Sequence, residues 1–210
     1  MCSRYAFVPD SDAWADFRDA LGAIADELLA LAAAPKLAPT DRVPIVVQQP
    51  GGPPQLVHAR WGFIPHWWSK PELPRLSFNA RSEEAAAKPM WRDALRQSRC
   101  LIPATTWFEW QHLHGAKIPH ALTPDDGRGF MFAGLWSLWR ARKEAEPMTT
   151  CVILTAEASA PLRSVHERMP VVLAPAAWGA WLDPAMTDGA RALEVLRANT
   201  VRAVTAVAVR

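Results

Sequence analysis

Apolar residues recur at three- and four-residue spacing through Trp14, Phe17, Leu21, Ile24, Leu28 and Leu31, which marks one face of a helix. Asp10 or Ser11 is available as its N-cap and Pro35 as its stop. Residues 34–41 hold two prolines and read as a connection. Two apolar runs, 44–49 and 55–63, flank Pro50-Gly51-Gly52-Pro53-Pro54 and predict a β-hairpin. A second helix is expected over 82–97, with Ser82 as cap, Glu83 and Glu84 at its positive end, and Pro89 splitting it. Short β-type runs follow at 100–103, 106–111, 118–122, 130–139, 150–155 and 170–173. Helical signals return at 176–182 and 188–198, and alternation resumes over 201–209. Many strands with interspersed helices and no βαβ rhythm predict an α+β fold. Its centre would be a curved or barrel-like, mostly antiparallel sheet with flanking helices. No repeat or linker divides the chain, so one domain is expected over 1–210.

Half of the residues are hydrophobic and 21% are charged, which excludes a disordered chain. Eleven tryptophans serve equally well as core or as base-stacking surfaces. The net charge of +2 names no partner, but residues 60–99 carry eight basic against four acidic side chains and include Trp61, Trp67, Trp68 and Trp91. That combination suits a phosphate-tracking surface, and equally a solvated helix face over core tryptophans. Cys2, Cys100 and Cys151 lie far apart with no C-x-x-C pair, which points to free thiols in a reducing compartment. The sequence has neither a leader nor a run of about 18 apolar residues. The expected location is therefore the cytoplasm, or the nucleus of a eukaryote, with no membrane partner. His112, His114 and His120 lack a cysteine or acidic pair at ligand spacing, so no metal is assigned. Nor is a cofactor, since no P-loop or dinucleotide fingerprint occurs.

The chain opens Met1-Cys2-Ser3-Arg4-Tyr5, and a residue as small as cysteine at the second position permits removal of Met1. Cys2 would then carry a free amine beside its thiol. An α-amine with a pKa of about 7.7–8.0 is partly unprotonated at neutral pH, whereas a lysine at about 10.4 is not. The amine can attack an aldehyde to give an imine, and the thiol can add to that imine and close a thiazolidine. Taken alone, Cys2 reads as well as an incidental second residue.

Four further blocks accompany it. They are Arg60-Trp61-Gly62-Phe63-Ile64-Pro65-His66-Trp67-Trp68, then Phe78-Asn79-Ala80-Arg81-Ser82-Glu83, then Arg99-Cys100-Leu101-Ile102-Pro103-Ala104 leading to Phe108-Glu109-Trp110, and Val165-His166-Glu167-Arg168-Met169-Pro170. In order and spacing, from residue 1 to about Leu173, the chain resembles the SOS-response-associated peptidase (SRAP) family. The resemblance implies a β-rich α+β fold and a protein that crosslinks through Cys2 to the ring-opened aldehyde of abasic sites in single-stranded DNA. Asn79 and Glu109 would place and polarise the reacting groups and His166 would transfer protons. Arg4 and Arg81 would contact phosphates, Trp67 and Trp68 would stack on or wedge beside bases, and Thr155 would touch DNA. The peptidase name reflects self-removal of Met1. Two positions depart from the family pattern: Ser3 stands where glycine is usual, and Ser159 where asparagine is common. A monomer is expected.

The roles also make chemical sense. Opening a sugar hemiacetal and dehydrating a carbinolamine both move protons, which a histidine with a pKa near 6.5 can do at neutral pH. Two other readings of the same residues are a thiol peptidase using Cys2 and His166, and a non-covalent single-strand-binding module built on Trp67, Trp68 and the basic segment.

Overall fold

The computed structural model describes residues 2–9, 14, 18–70 and 72–209. Its strands and helices in chain order begin with β1 (Arg4–Phe7), α1 (Arg18–Leu21), α2 (Ala23–Leu29) and β2 (Ala34–Leu37). The continuous helix expected over 14–31 is broken at Gly22, whose φ of 55° a side chain would resist. Asp10, Ser11 and Phe17 lie outside the described residues. Residues 34–37 are a strand rather than a connection, and Pro35 fits there because β2 is the last strand of its sheet, where a missing N–H costs no ladder bond.

The expected hairpin forms from β3 (Arg42–Gln48) and β4 (Pro54–Trp61), paired in register from Arg42 with Arg60 to Gln48 with Pro54. A three-residue strand, β5 (Asn79–Arg81), is too short to show a period in sequence. The helix expected over 82–97 is split as Pro89 suggested, into α3 (Ser82–Ala85) and α4 (Pro89–Gln97). Ser82 is not its cap, because Arg81 holds that position and Ser82 is buried within the helix. Then come β6 (Arg99–Ala104), β7 (Thr106–Leu113), β8 (Ala116–Pro124), β9 (Phe130–Trp139) and β10 (Met148–Glu157). The run over 170–173 resolves into two strands, β11 (Arg168–Pro170) and β12 (Val172–Leu173), which pair with β10 and β9 respectively. The chain continues through α5 (Trp178–Leu182), α6 (Gly189–Ala198) and β13 (Val204–Ala208). Asp188 caps α6 by accepting hydrogen bonds from the Ala190 and Arg191 amides.

The strands form two layers. In one, β13, β8, β7, β1 and β2 pair in that order, all antiparallel. In the other, β10, β4, β3, β6 and β9 pair in turn, and β9 pairs back onto β10. That closure makes a five-stranded barrel with one parallel junction, β4 to β10, and β5 adds in parallel on β10. Of the eleven tryptophans, Trp14, Trp61, Trp91, Trp107, Trp139, Trp178 and Trp181 are buried, so most of the indole serves the core. Strand β1 joins the layers: the Tyr5 ring meets Trp61 of β4 and Phe132 of β9 edge to face, at centroid distances of 5.2 and 5.7 Å. No described helix is long and apolar enough to cross a membrane.

Arg99, one of the eight basic residues in 60–99, is not part of a phosphate-tracking face. Its guanidinium is buried and donates to the carbonyls of Leu95, Arg96, Trp181 and Asp183 at 2.7, 3.0, 2.7 and 2.6 Å, closing the C-terminal ends of α4 and α5. Arg81 and Lys88 bind Glu84, and Arg92 binds Asp93, so much of the local cationic excess is answered within the segment. Arg99→Met should lose about 2–4 kcal/mol of stability in urea unfolding, the scale of several buried carbonyls left unpaired.

Candidate functional site

The first residues run along the seam between the two layers. Arg4 sits opposite Phe108 in the β1–β7 ladder, which brings Glu109 beside the start of the chain. From the barrel side, Asn79 at the head of β5 donates from Nδ2 to the Cys2 carbonyl at 2.7 Å. The Asn79 Oδ1 is buried with no hydrogen-bond partner among the described residues. Cys2 is fully buried, and its Sγ lies 3.7 Å from the Arg4 carbonyl oxygen. His166 follows the 3-10 turn Ala160–Ser164, and Gln111 of β7 holds that turn by donating to the Ser164 carbonyl at 2.9 Å.

A cavity of about 390 Å³ opens between these elements, lined by Ser3, Arg4 and His166 and by Glu109, Trp110, His112 and Lys117 of the β7–β8 hairpin. Thus Cys2, Asn79, Glu109 and His166, separated by up to 164 positions in sequence, converge on one place. Ser3 does not have a positive φ, so the backbone at this point does not require the glycine usual in the pattern.

Burial moves Glu109, Cys2 and His166 toward their neutral forms. It raises the Glu109 carboxyl to about 7. It pushes the Cys2 thiol well up, and the nearby Glu109 charge adds to this. It lowers the His166 imidazole below its ordinary value. The Arg168 backbone N–H donates to His166 Nδ1 at 2.9 Å, which leaves Nε2 as the proton-bearing nitrogen of the neutral ring. Arg168 is itself fixed by a bidentate pair with Glu83, both distances 2.8 Å, and by the Thr155 carbonyl at 2.7 Å. Neither Arg168 nor Gln111 was singled out from sequence. Their parts are played through the backbone and through a long-range carbonyl, which leave no linear signal.

The residues expected to meet DNA are distributed unevenly. Arg4 lines the cavity. Arg81 is exposed but lies in a different concavity, of about 740 Å³, shared with Glu83, Glu84, Glu167 and Arg168. Trp67 is 46% exposed and Trp68 half-buried, with ring centroids 6.2 Å apart, and Lys70 lies over the Trp68 ring. Thr155 is 1% exposed and its hydroxyl is hydrogen-bonded to the Ala80 carbonyl, so its contribution in this structure is to hold Arg168 rather than to face solvent. Ser159 is buried at the head of the 3-10 turn. His120 is buried against the Ile118 carbonyl while His112 and His114 are exposed, and no group of three or more potential metal ligands occurs among the described residues.

The raised Glu109 pKa has a consequence for stability. Between its unfolded value of about 4.5 and its folded value of about 7, the folded protein binds the extra proton. The stability from this group is therefore complete below about 4.5 and is lost as pH rises through about 7. Thermal melts across that window should show wild type losing more stability with rising pH than Glu109→Gln, which has no such proton to release.

A family model described as SOS response associated peptidase (SRAP) matches residues 1–210. Abasic site processing protein YoqW of Bacillus subtilis is 34% identical over 153 residues, covering 72% of this chain and 67% of that protein. Abasic site processing protein YedK of Escherichia coli is 33% identical over 144 residues, covering 68% of this chain and 61% of that protein. The matched stretch thus spans two thirds or less of these relatives. The crystal structure of a protein from Bacteroides thetaiotaomicron has a TM-score of 0.81 at 22% identity, covering 100% of this chain and 92% of the other, which establishes a shared fold.

Proposed function

Because the chain belongs to the SOS response associated peptidase family, we propose that it captures abasic sites in single-stranded DNA by a covalent bond through Cys2 once Met1 has been removed. The observation that carries this reading is the Asn79 hydrogen bond to the Cys2 carbonyl, which holds the would-be terminal residue beside a buried carboxyl and a histidine. The relatives' name, abasic site processing protein, supports the substrate.

The chemistry proceeds from the freed amine. Ionised above about pH 7, Glu109 accepts a proton from the Cys2 ammonium, and the neutral amine adds to the C1′ aldehyde of the ring-opened deoxyribose. His166, with its proton on Nε2, serves the ring oxygen as the sugar opens and the carbinolamine oxygen as water leaves. Asn79 Oδ1, an acceptor without a partner among the described residues, is suited to an N–H or O–H of the adduct. The thiol then adds across the imine: sulfur bonds to C1′ and its proton ends on nitrogen, so the net loss is one water. Burial that keeps the Cys2 thiol protonated favours this order, amine first, over a thiolate acting on added peptides. Removal of Met1 by the protein itself is the autoprocessing part of the proposal.

Intact mass of purified protein, before and after incubation with an abasic oligonucleotide, reads both steps. Wild type should lack Met1 and gain the strand minus one water. Cys2→Ala keeps an amine without a thiol and should give only a labile imine that borohydride traps. Protein that retains Met1 should give no adduct. A detergent-stable adduct formed at the wild-type rate in either case overturns the mechanism.

The exposed Trp67 and its neighbour Trp68 offer stacking surface to a single strand. Replacing both with alanine should weaken binding of a single strand carrying an inert abasic analogue by about 1–3 kcal/mol per lost base stack, measured by fluorescence anisotropy. Unchanged affinity would remove the pair from the DNA surface.

A further inference from the structure

Three lining residues of the β7–β8 hairpin, Trp110, His112 and Lys117, have no role in the steps above. Lys117 and His112 sit directly opposite each other in the β7–β8 ladder, both exposed, and both line the cavity that contains Ser3, Arg4, Glu109 and His166. Lys117 makes no ion pair among the described residues.

The neighbouring concavity differs in sign. It holds Arg81, Arg163 and Arg168 against Glu83, Glu84, Glu157 and Glu167, and two of its arginines are already bound to Glu83 and Glu84. The segment His166 to Arg168 separates the two spaces, since His166 lines one while Glu167 and Arg168 line the other. Of the two adjoining spaces, the reactive cavity is therefore the one with an excess of positive charge, and Lys117 on the hairpin is a lining cation there without an ion pair among the described residues. A strand threaded there brings a phosphodiester next to the reacting sugar, and a cation beside a phosphate stabilises its binding.

We propose that Lys117, with His112 across the ladder from it, is a phosphate-binding site for the phosphodiester flanking the abasic deoxyribose, on the side away from Arg81. It is a binding and positioning site, which grips the strand beyond the reacting sugar and makes an internal abasic site a better substrate than one at a strand end. The inference rests on the single-stranded DNA reading of the cavity.

The test uses the mature protein and a single strand containing a tetrahydrofuran abasic analogue, with affinity read by anisotropy over a range of salt. Each phosphate flanking the analogue is replaced in turn by an uncharged methylphosphonate. Lys117→Gln should weaken binding of the all-phosphate strand about tenfold, the scale of one charge-assisted contact, and flatten the logarithmic salt slope by about 0.7. One methylphosphonate should weaken wild type by the same factor and Lys117→Gln not at all. Arg81→Gln should not be coupled to that phosphate, and Lys117→Arg should restore affinity.

Wild-type affinity in Lys117→Gln, or losses that simply multiply with both methylphosphonates, would overturn the proposal. Adduct formation by wild type on a natural abasic strand is scored separately by mass. If wild type neither binds nor crosslinks, the DNA reading itself falls; if it does both while Lys117 shows no coupling, only this inference falls.

Discussion

The amide of Asn79 reaches across the seam between barrel and outer sheet to hold the carbonyl of the second residue in the chain. Chain ends ordinarily fray, because few contacts oppose the entropy of the last residues. Here β1 is an interior strand with β2 on one side and β7 on the other, and Tyr5 is packed between two aromatic rings of the barrel. Cys2 is therefore fixed from the sheet, from the core and from Asn79 together. For a condensation that begins with an amine meeting an aldehyde, such orientation removes much of the entropic part of the barrier. The catalytic reading of every other residue depends on that anchored start.

Burial gives the site a common electrostatic character. The carboxyl, the thiol and the imidazole are each displaced toward their uncharged forms. A site of that kind suits a reaction between neutral partners that expels water, and it disfavours one that needs a standing thiolate. The cations of the same cavity, Arg4 and Lys117, remain in contact with solvent.

Much of the barrel could be read from the sequence, because β3, β4, β6, β9 and β10 carry long apolar or alternating runs whose ends are marked by turns. The breaks came where one residue overrode a period: Gly22 interrupts a helix whose apolar spacing is intact, and Pro35 lies in a strand because that strand is an edge. Cys2, Asn79, Glu109 and His166 were identifiable as a set through their surrounding blocks, and the structure brings them together. Arg168 and Gln111 were not, since one acts through its backbone N–H and the other through a carbonyl 53 residues away. Counting charge along residues 60–99 left two readings open for a related reason. A linear count cannot separate a buried arginine bonded to four carbonyls from one that faces a phosphate.

The place of β1 in the sheet also sets when the site around Cys2 is complete. Strand β1 is made well before one of its two partners, β7, which begins at Thr106, and the segment bearing His166 is made later still. Contacts so distant in sequence close late in folding. Until they do, the beginning of the chain is an ordinary flexible segment, with no carboxyl beside it and no fixed direction of approach. The seat that holds Cys2 is thus a property of the finished molecule, closed at the beginning of the chain by segments made long after it.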